Sequence, residues 1–378
     1  MPLTYTESID EIRNLIHKIN VEIKKINKIR GKNEEIIFTI GNTAFNSSEN
    51  RPYITPLRKI SEGYVMGVVV YSQLQAIILS HHIDGKVDYI FVDCEKKLLK
   101  TKNTDYSILK KFNLDPKIDD AIPGSIEYGN ISKSSHNVIK NTPIFSYKAN
   151  DLIVESAWLF LTQHFKELSG RKIIIIGIGN IGSKLCLKLI ESAVKVTVVT
   201  KSDKSEIIKA LNKIKQDSVI SNINIAENSQ VSCIDADAII GCANSAQVIS
   251  EEMVEVMNPE GIVMDIGKGN ISHQAYANIS KKNIISWRAD ITPMVNSMVN
   301  NSKEMKLFYE DIFAKRNFKD FSIVSGGYIG SKYDIIVDNV HDIKNIYGVC
   351  DGTGSLMPSY DFRANKNLNE VKEYITKK

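Results

Sequence analysis

Apolar side chains recur at Ile9, Ile12, Leu15, Ile16, Ile19, Ile23 and Ile26. Steps of three and four put them on one face of a helix over residues 7–29, with Gly31 just beyond its end. Runs of strand character follow at 36–40, 64–71, 76–80 and 87–93. Asp84-Gly85 sits between the last two and supplies the positive φ angles of a tight turn, so a β-hairpin is expected there. The chain to about residue 145 therefore reads as a mixed α/β unit. Val154, Trp158, Leu161, Phe165 and Leu168 then mark the inward face of a helix over 151–168, stopped by Gly170.

Beyond Gly170 the pattern becomes regular. Strands are predicted at 172–176, 195–200, 237–241 and 261–266, with helices at 179–192, 204–214 and 250–257 between and after them. Such alternation specifies βαβ units on a parallel sheet. A last helix is predicted over 293–315. It leads into two glycine-rich stretches, 325–330 and 348–354, that enclose the apolar run Ile335 to Val337. The boundaries expected from these changes of pattern are an N-terminal α/β unit over 1–150, a parallel-sheet unit over 151–290, and a C-terminal segment over 291–378 that packs back on the first.

The most informative stretch is Lys172-Ile-Ile-Ile-Ile-Gly177-Ile178-Gly179-Asn180-Ile181-Gly182. An apolar strand runs straight into GxGxxG. In this motif the first glycine makes the turn, the second lets backbone approach a pyrophosphate, and the third lets the helix pack on the strand. The helix start then offers unpaired N–H groups and a positive dipole end to phosphate. Strand, turn, helix and second strand are all present, which is the context the motif requires. A bound dinucleotide is expected.

Which dinucleotide depends on the end of the second strand. An NAD site carries an acid there for the ribose 2′-hydroxyl. This chain has Thr200-Lys201-Ser202, with Asp203 following. Two hydroxyls and an ammonium suit a 2′-phosphate through charge-assisted bonds, so NADP(H) is preferred to NAD(H) unless Asp203 reaches the ribose. The later strands end in Cys242-Ala243-Asn244 and Ile266-Gly267. Ligands in open sheets lie beyond the carboxyl ends of strands, so these ends should flank the nicotinamide half.

Residues 151–270 resemble the cofactor domain of the formate/glycerate dehydrogenase, alanine dehydrogenase and S-adenosylhomocysteine hydrolase group. The resemblance implies an α/β fold: a doubly wound, parallel-sheet Rossmann domain plus a mixed α/β catalytic domain formed from both chain ends. The helices at 151–168 and 293–315 would cross between them. Lys148-Ala149-Asn150-Asp151 is similar to the hydrolase Lys-x-Asp-Asn stretch, with the last two residues exchanged. The turn Gly267-Lys268-Gly269-Asn270 lacks the hydrolase histidine, and the Arg/Glu/His set of the 2-hydroxyacid dehydrogenases is missing, so a different substrate is implied.

Composition narrows the class further. The chain has 378 residues, 43% hydrophobic and 24% charged, with 48 basic and 44 acidic side chains for a formal net charge of +4. That is long enough for two or three cores and too balanced for intrinsic disorder. No apolar run approaches the ~20 residues of a membrane span, and no basic segment followed by an apolar run opens the sequence, so no secretory signal is expected. Its scattered lysines show none of the clustering of a nucleic-acid groove. Cys94, Cys186, Cys233, Cys242 and Cys350 are odd in number and form no metal-ligand spacing, which points to reduced thiols, a cytoplasmic location and no metal. The expected partner is a small-molecule substrate, and the expected assembly is a homodimer.

Hydride transfer needs a proton donor and groups that orient the substrate. Lys148 is the first candidate, beside Asn150 and Asp151; a solvated lysine and an Asp capping the helix fit the same residues. Arg288 and Asp290 follow the last strand of the cofactor domain, where an arginine suits a carboxylate; a structural ion pair at the domain junction fits them too. His136 lies in a polar loop, Asn130 to His136, shortly before Lys148 and offers an acid near neutrality. The loop from Gly41 to Ser48 is rich in small hydrogen-bonding residues, as a substrate loop or an ordinary turn would be. The expected function is an NADP(H)-dependent oxidoreductase that reduces a C=O or C=N bond of a small polar, carboxylate-bearing metabolite. An NAD-retaining lyase or hydrolase and a non-catalytic nucleotide sensor are the alternatives.

Overall fold

The computed structural model describes residues 5–43, 51–95, 97–98, 106–115, 130–214, 222–282 and 284–377. They form two compact units, Met1–Asn296 and Ser297–Lys378. The larger holds two sheets.

Helix α1 (Tyr5–Ile29) buries Ile12, Leu15, Ile19, Ile23 and Ile26, the face its periodicity marks. Against it lies a sheet of β1 (Glu35–Asn42), β2 (Tyr53–Ile60), β3 (Gly63–Val70), β4 (Tyr89–Asp93) and β5 (Ile144–Tyr147). The strand order is β2-β3-β1-β4-β5. Strands β3, β1, β4 and β5 are parallel, and only β2 runs antiparallel, paired with β3.

The expected hairpin at Asp84-Gly85 does not form. Residues 76–80 belong to helix α2 (Gln73–Ile83), where Ser72 Oγ accepts from the Gln75 N–H at 3.1 Å. Gln73, Ala76 to Ser80 and Ile83 are all buried, and a helix buried on every side loses the amphipathic period that distinguishes it from a buried strand. Gly85, at φ +75°, turns the chain from α2 toward β4. A second correction concerns the polar stretch before Lys148. It is helix α3 (Ile131–Val138), capped by Asn130 Oδ1 on the Lys133 N–H at 3.0 Å.

Helix α4 (Ala149–Phe165) leads to the second sheet, made of β6 (Lys172–Ile176), β7 (Lys195–Val199), β8 (Asn224–Ile225), β9 (Ala238–Gly241), β10 (Ile262–Asp265) and β11 (Ile285–Arg288). All its pairings are parallel, in the order β11-β10-β9-β6-β7-β8. Alternate residues of a strand point to opposite faces. Ile173 and Ile175 therefore join one core, with α4 and α5 (Asn180–Glu191), while Ile174 and Ile176 join another, with α8 (Glu251–Glu255) and α9 (His273–Lys281); α6 (Ser205–Ile214) and the short α7 (Ser229–Ser232) come between α5 and α8 in the chain. The unbroken isoleucine run is the signature of a strand covered by helices on both faces.

Helix α10 (Thr292–Leu307) carries the division between the units. The smaller unit has its own sheet, ordered β12 (Lys315–Phe318), β13 (Phe321–Ser325), β14 (Ile335–Val337) and β15 (Ile346–Val349), and helix α11 (Phe362–Thr376). Phe321, Ile323, Ile335, Val337, Val349 and Val371 form its core. Among the described residues, no helix is long and apolar enough to cross a membrane.

Candidate dinucleotide site

Strand β6 is central because it is the most apolar, and the chain leaves it through Gly177. Its φ of +95° and the approach of Ala243 N and Cα to 2.9 Å of any added Cβ leave only glycine there. Three glycines of one turn then behave differently. A Cβ on Gly182 would meet the Gly177 carbonyl oxygen at 2.2 Å, so this glycine lets α5 lie against the turn. A Cβ on Gly179 would meet nothing within 4 Å. Neither backbone strain nor packing asks for glycine at 179, whose φ is −84°. Gly179 is also the N-cap of α5, so no side chain covers the first N–H groups of that helix. Open backbone at a helix N-terminus, beyond the carboxyl end of a central strand, fits a pyrophosphate.

The far side of this cleft is held by a residue that sequence reasoning passed over. Asn270 is fully buried, its Oδ1 accepting from the Ala243 N–H at 3.2 Å while its Nδ2 donates to the carbonyls of Ala243 at 2.9 Å and Ser245 at 2.8 Å. It clamps the segment after β9, including Cys242, Ala243 and Asn244, to the segment after β10. Asp265 supports it by accepting from the Gly269 N–H at 2.7 Å. A Cβ at Gly267 would strike the Ala243 oxygen at 2.1 Å, so the strand ends that carry Cys242 to Asn244 and Ile266-Gly267 lie against each other. Burial raises the Cys242 thiol far above its ordinary range.

At the end of β7, Thr200 Oγ1 donates to the Ser202 carbonyl at 3.0 Å, and Lys201 and Ser202 are exposed. Asp203 Oδ1 accepts the Ser205 N–H at 2.9 Å at the start of α6 (Ser205–Ile214). That bond holds its carboxyl below the usual range. One oxygen of this exposed acid is thus engaged by the next helix.

The second gathering of functional groups lies at the carboxyl ends of β1, β4 and β5. Lys148 is the N-cap residue of α4 and exposed, and its Nζ stands 3.7 Å from Asp151 Oδ2. The closer partner of Asp151 is Lys184, on the second turn of α5, which also reaches Glu95 Oε1 at 3.8 Å. Glu95 accepts the Asn150 N–H at 2.7 Å and pairs with Lys97 at 3.0 Å. Asp93, fully buried, takes the same ammonium at 2.7 Å; its burial raises its carboxyl pKa, against the pull of Lys97. Lys148, Asn150 and Asp151 therefore share one network. Its members Lys184, Glu95, Lys97 and Asp93 were not anticipated, although Asp93-Cys94-Glu95 directly follows an apolar run and so announces a strand end.

The other candidates lie apart. Arg288 ends the outer strand β11 and is exposed. Asp290 pairs with Arg58 Nη2 at 2.8 Å and accepts the Thr292 N–H at 2.7 Å, which ties β2 to the start of α10. His136 is in the last turn of α3, with Nδ1–H toward the Ser132 carbonyl at 2.8 Å, before β5 begins, whereas Lys148 follows its other end. Of the small-residue loop, residues 44–48 lie outside the described ones.

Residues 165–290 match a family model described as NAD(P)-binding. The second sheet and its helices form an NAD(P)-binding Rossmann domain. Its strand order is the 3-2-1-4-5-6 of that fold. No curated protein sequence matches the chain. Among solved structures it is similar to L-tryptophan dehydrogenase from Nostoc punctiforme, at 12% identity over 72% of this chain and 75% of that one, with a TM-score of 0.40. The NADPH-dependent glyoxylate/hydroxypyruvate reductase from Sinorhizobium meliloti aligns at 10% identity over 36% of this chain and 78% of its own, TM-score 0.29. Ornithine carbamoyltransferase from Pyrococcus furiosus aligns at 13% over 74% and 88%, TM-score 0.37. Likenesses this distant carry no argument about what the Rossmann domain of this chain serves.

Proposed function

We propose that the protein is an NADP(H)-dependent oxidoreductase that reduces a C=O or C=N bond of a small, carboxylate-bearing metabolite. The observation that carries the reading is the open Gly179 in a turn whose other two glycines are explained by strain and packing. Gly177, Gly179, Asn180, Ile181 and Gly182 would hold the pyrophosphate through backbone N–H groups. Thr200, Lys201 and Ser202 would take the 2′-phosphate. Cys242, Ala243, Asn244, Ile266 and Gly267 would flank the nicotinamide. The nucleotide, when bound, supplies or accepts the hydride.

In this reading the chain itself orients the substrate and moves a proton. Lys148 has spare N–H donors, since Lys184 takes the nearer side of Asp151, so it can anchor a carboxylate or donate a proton; Asp151 pairs with it, and Asn150 ties the start of the helix to Glu95. Arg288 is the second anchor for an anion. Asp290 and His136 enter as secondary candidates, because Asp290 already serves Arg58 and the start of α10.

The experiment has two arms. Lys201→Asp should weaken NADPH binding at least tenfold, or ~1.4 kcal/mol, and leave NADH binding unchanged or better; equal loss for both nucleotides would remove the 2′-phosphate assignment. A panel of 2-oxo acids, with and without ammonium, should then include one that consumes NADPH. If NADPH binds and nothing in any panel is reduced, the nucleotide-sensing alternative gains. Nicotinamide retained through gel filtration, with no net redox change during turnover, would favour the lyase or hydrolase.

A further inference from the structure

The first sheet has its own place for a ligand. The chain passes from β1 to β3 on one side and then from β3 to β4 on the other, so the winding reverses between β1 and β4. In open α/β sheets, ligands occupy the crevice outside the carboxyl ends of the strands at that reversal. The residue ending β1 is Asn42, 7% exposed, and its Nδ2 donates across the crevice to the Glu95 carbonyl at 3.0 Å. Its Oδ1 is buried with no hydrogen-bond partner. Buried polar atoms are rarely left so, because the lost hydration is not returned. The carboxamide cannot turn to cure this without giving up Glu95.

What surrounds the orphaned oxygen narrows what could satisfy it. Asn42 touches Glu95, the residue whose carboxylate accepts the Asn150 N–H and shares Lys184 with Asp151, and Lys148 stands beside that Asp151, near enough for its charge to act on the Cys94 thiol. Asp93, Glu95 and Asp151 are balanced by Lys97, Lys148 and Lys184. A neutral cluster of this kind gives no field that favours a dianion. It suits a ligand that brings an N–H donor for Asn42 and an anion for Lys148 together.

Resting on the oxidoreductase reading above, we propose that the β1/β4 crevice is the substrate subsite and that its substrate is an amino-acid-type compound. The amine or imine N–H donates to Asn42 Oδ1, and the carboxylate is held by Lys148 Nζ. Asn42 then discriminates against compounds with a carbonyl or hydrogen in place of the nitrogen, because these leave its oxygen unpaired.

The test uses the full chain with NADPH bound. The standard L-amino acids and their deaminated carboxylates are screened by thermal shift and titrated by calorimetry. At least one amino acid should raise the melting temperature where its deaminated counterpart does not. Its Kd should rise at least about tenfold in Asn42→Ala. Lys148→Ala should weaken it as well. NADPH affinity, measured in parallel, should be the same in all of these proteins, which also shows that each is folded. Equal binding of an amino acid and its deaminated counterpart, unchanged affinity in Asn42→Ala, or no amino-acid binding by protein that still binds NADPH would each overturn the proposal and leave the cofactor reading intact. Failure of the wild type to bind NADPH would overturn that reading as well.

Discussion

Substituting the three glycines of the turn one at a time separates a folding role from a binding role. At Gly179 an alanine Cβ meets nothing within 4 Å, and the φ of −84° is ordinary for any residue. Removing a glycine restricts the unfolded chain and stabilises by ~0.4–1 kcal/mol. Alanine is a worse N-cap than glycine by a similar amount, so the net change should stay within about 1 kcal/mol. The methyl group nevertheless projects where backbone would meet a pyrophosphate, and the Kd for NADPH should rise at least tenfold, or ~1.4 kcal/mol. Gly177→Ala must adopt a φ near +95° and crowd Ala243, at ~1–3 kcal/mol for the strain alone. Gly182→Ala drives a Cβ to 2.2 Å from the Gly177 oxygen and must push α5 off the turn, an overpacking cost of ~1–3 kcal/mol or more. Chemical denaturation gives the stabilities and quenching of tryptophan fluorescence gives the affinities. An unchanged NADPH affinity in stable Gly179→Ala protein would refute the pyrophosphate assignment, whatever the other two variants did.

Two further predictions follow from buried groups. Asn270→Ala strips partners from the Ala243 N–H and the carbonyls of Ala243 and Ser245; it should destabilise the protein by ~2–4 kcal/mol and weaken nucleotide binding, and a loss under ~0.5 kcal/mol would mean that the two strand ends hold together without it. His82, half-buried with Nε2 at 2.9 Å from Asn20 Oδ1, has its pKa pushed down to about 4 from 6.5, first by burial and then by the charges of Lys86 and His81. The folded state therefore favours the neutral ring, so this contribution is intact above pH 6.5 and is lost as the pH falls from there toward about 4. Melting curves of His82→Gln should flatten over that interval relative to wild type; parallel curves would show that the ring titrates alike folded and unfolded.

The Rossmann domain was legible because each level of the sequence agrees there. An all-isoleucine strand needs helices on both faces, and the glycine spacing needs a strand before it and a helix after it; β6, the turn and α5 meet both demands. The first sheet was harder for a physical reason. Helix α2 is buried on every side, so its apolar residues lack the helical period, and Asp84-Gly85 after it mimics a hairpin turn. Strand β2 was missed because, as an antiparallel edge strand with Pro56, Arg58 and Lys59, it is mostly solvent-exposed. Pairings distant in the chain escaped entirely. Lys184 reads as one more lysine on an amphipathic helix until the fold brings it onto Asp151 and Glu95, and Asn270 reads as a turn residue until Ala243 is folded against it.

In the proposed function this domain binds a nicotinamide dinucleotide through the Gly177 to Gly182 turn and selects the 2′-phosphate with Thr200-Lys201-Ser202. Trp158 on α4 and Trp287 on β11 provide the signal: titrating the purified protein with NADPH and with NADH against their fluorescence measures both parts at once. Saturable quenching by both, with NADPH the tighter by tenfold or more, is the predicted result. Absence of quenching with either, confirmed by calorimetry, would contradict dinucleotide binding, and tighter binding of NADH would contradict the role given to Lys201.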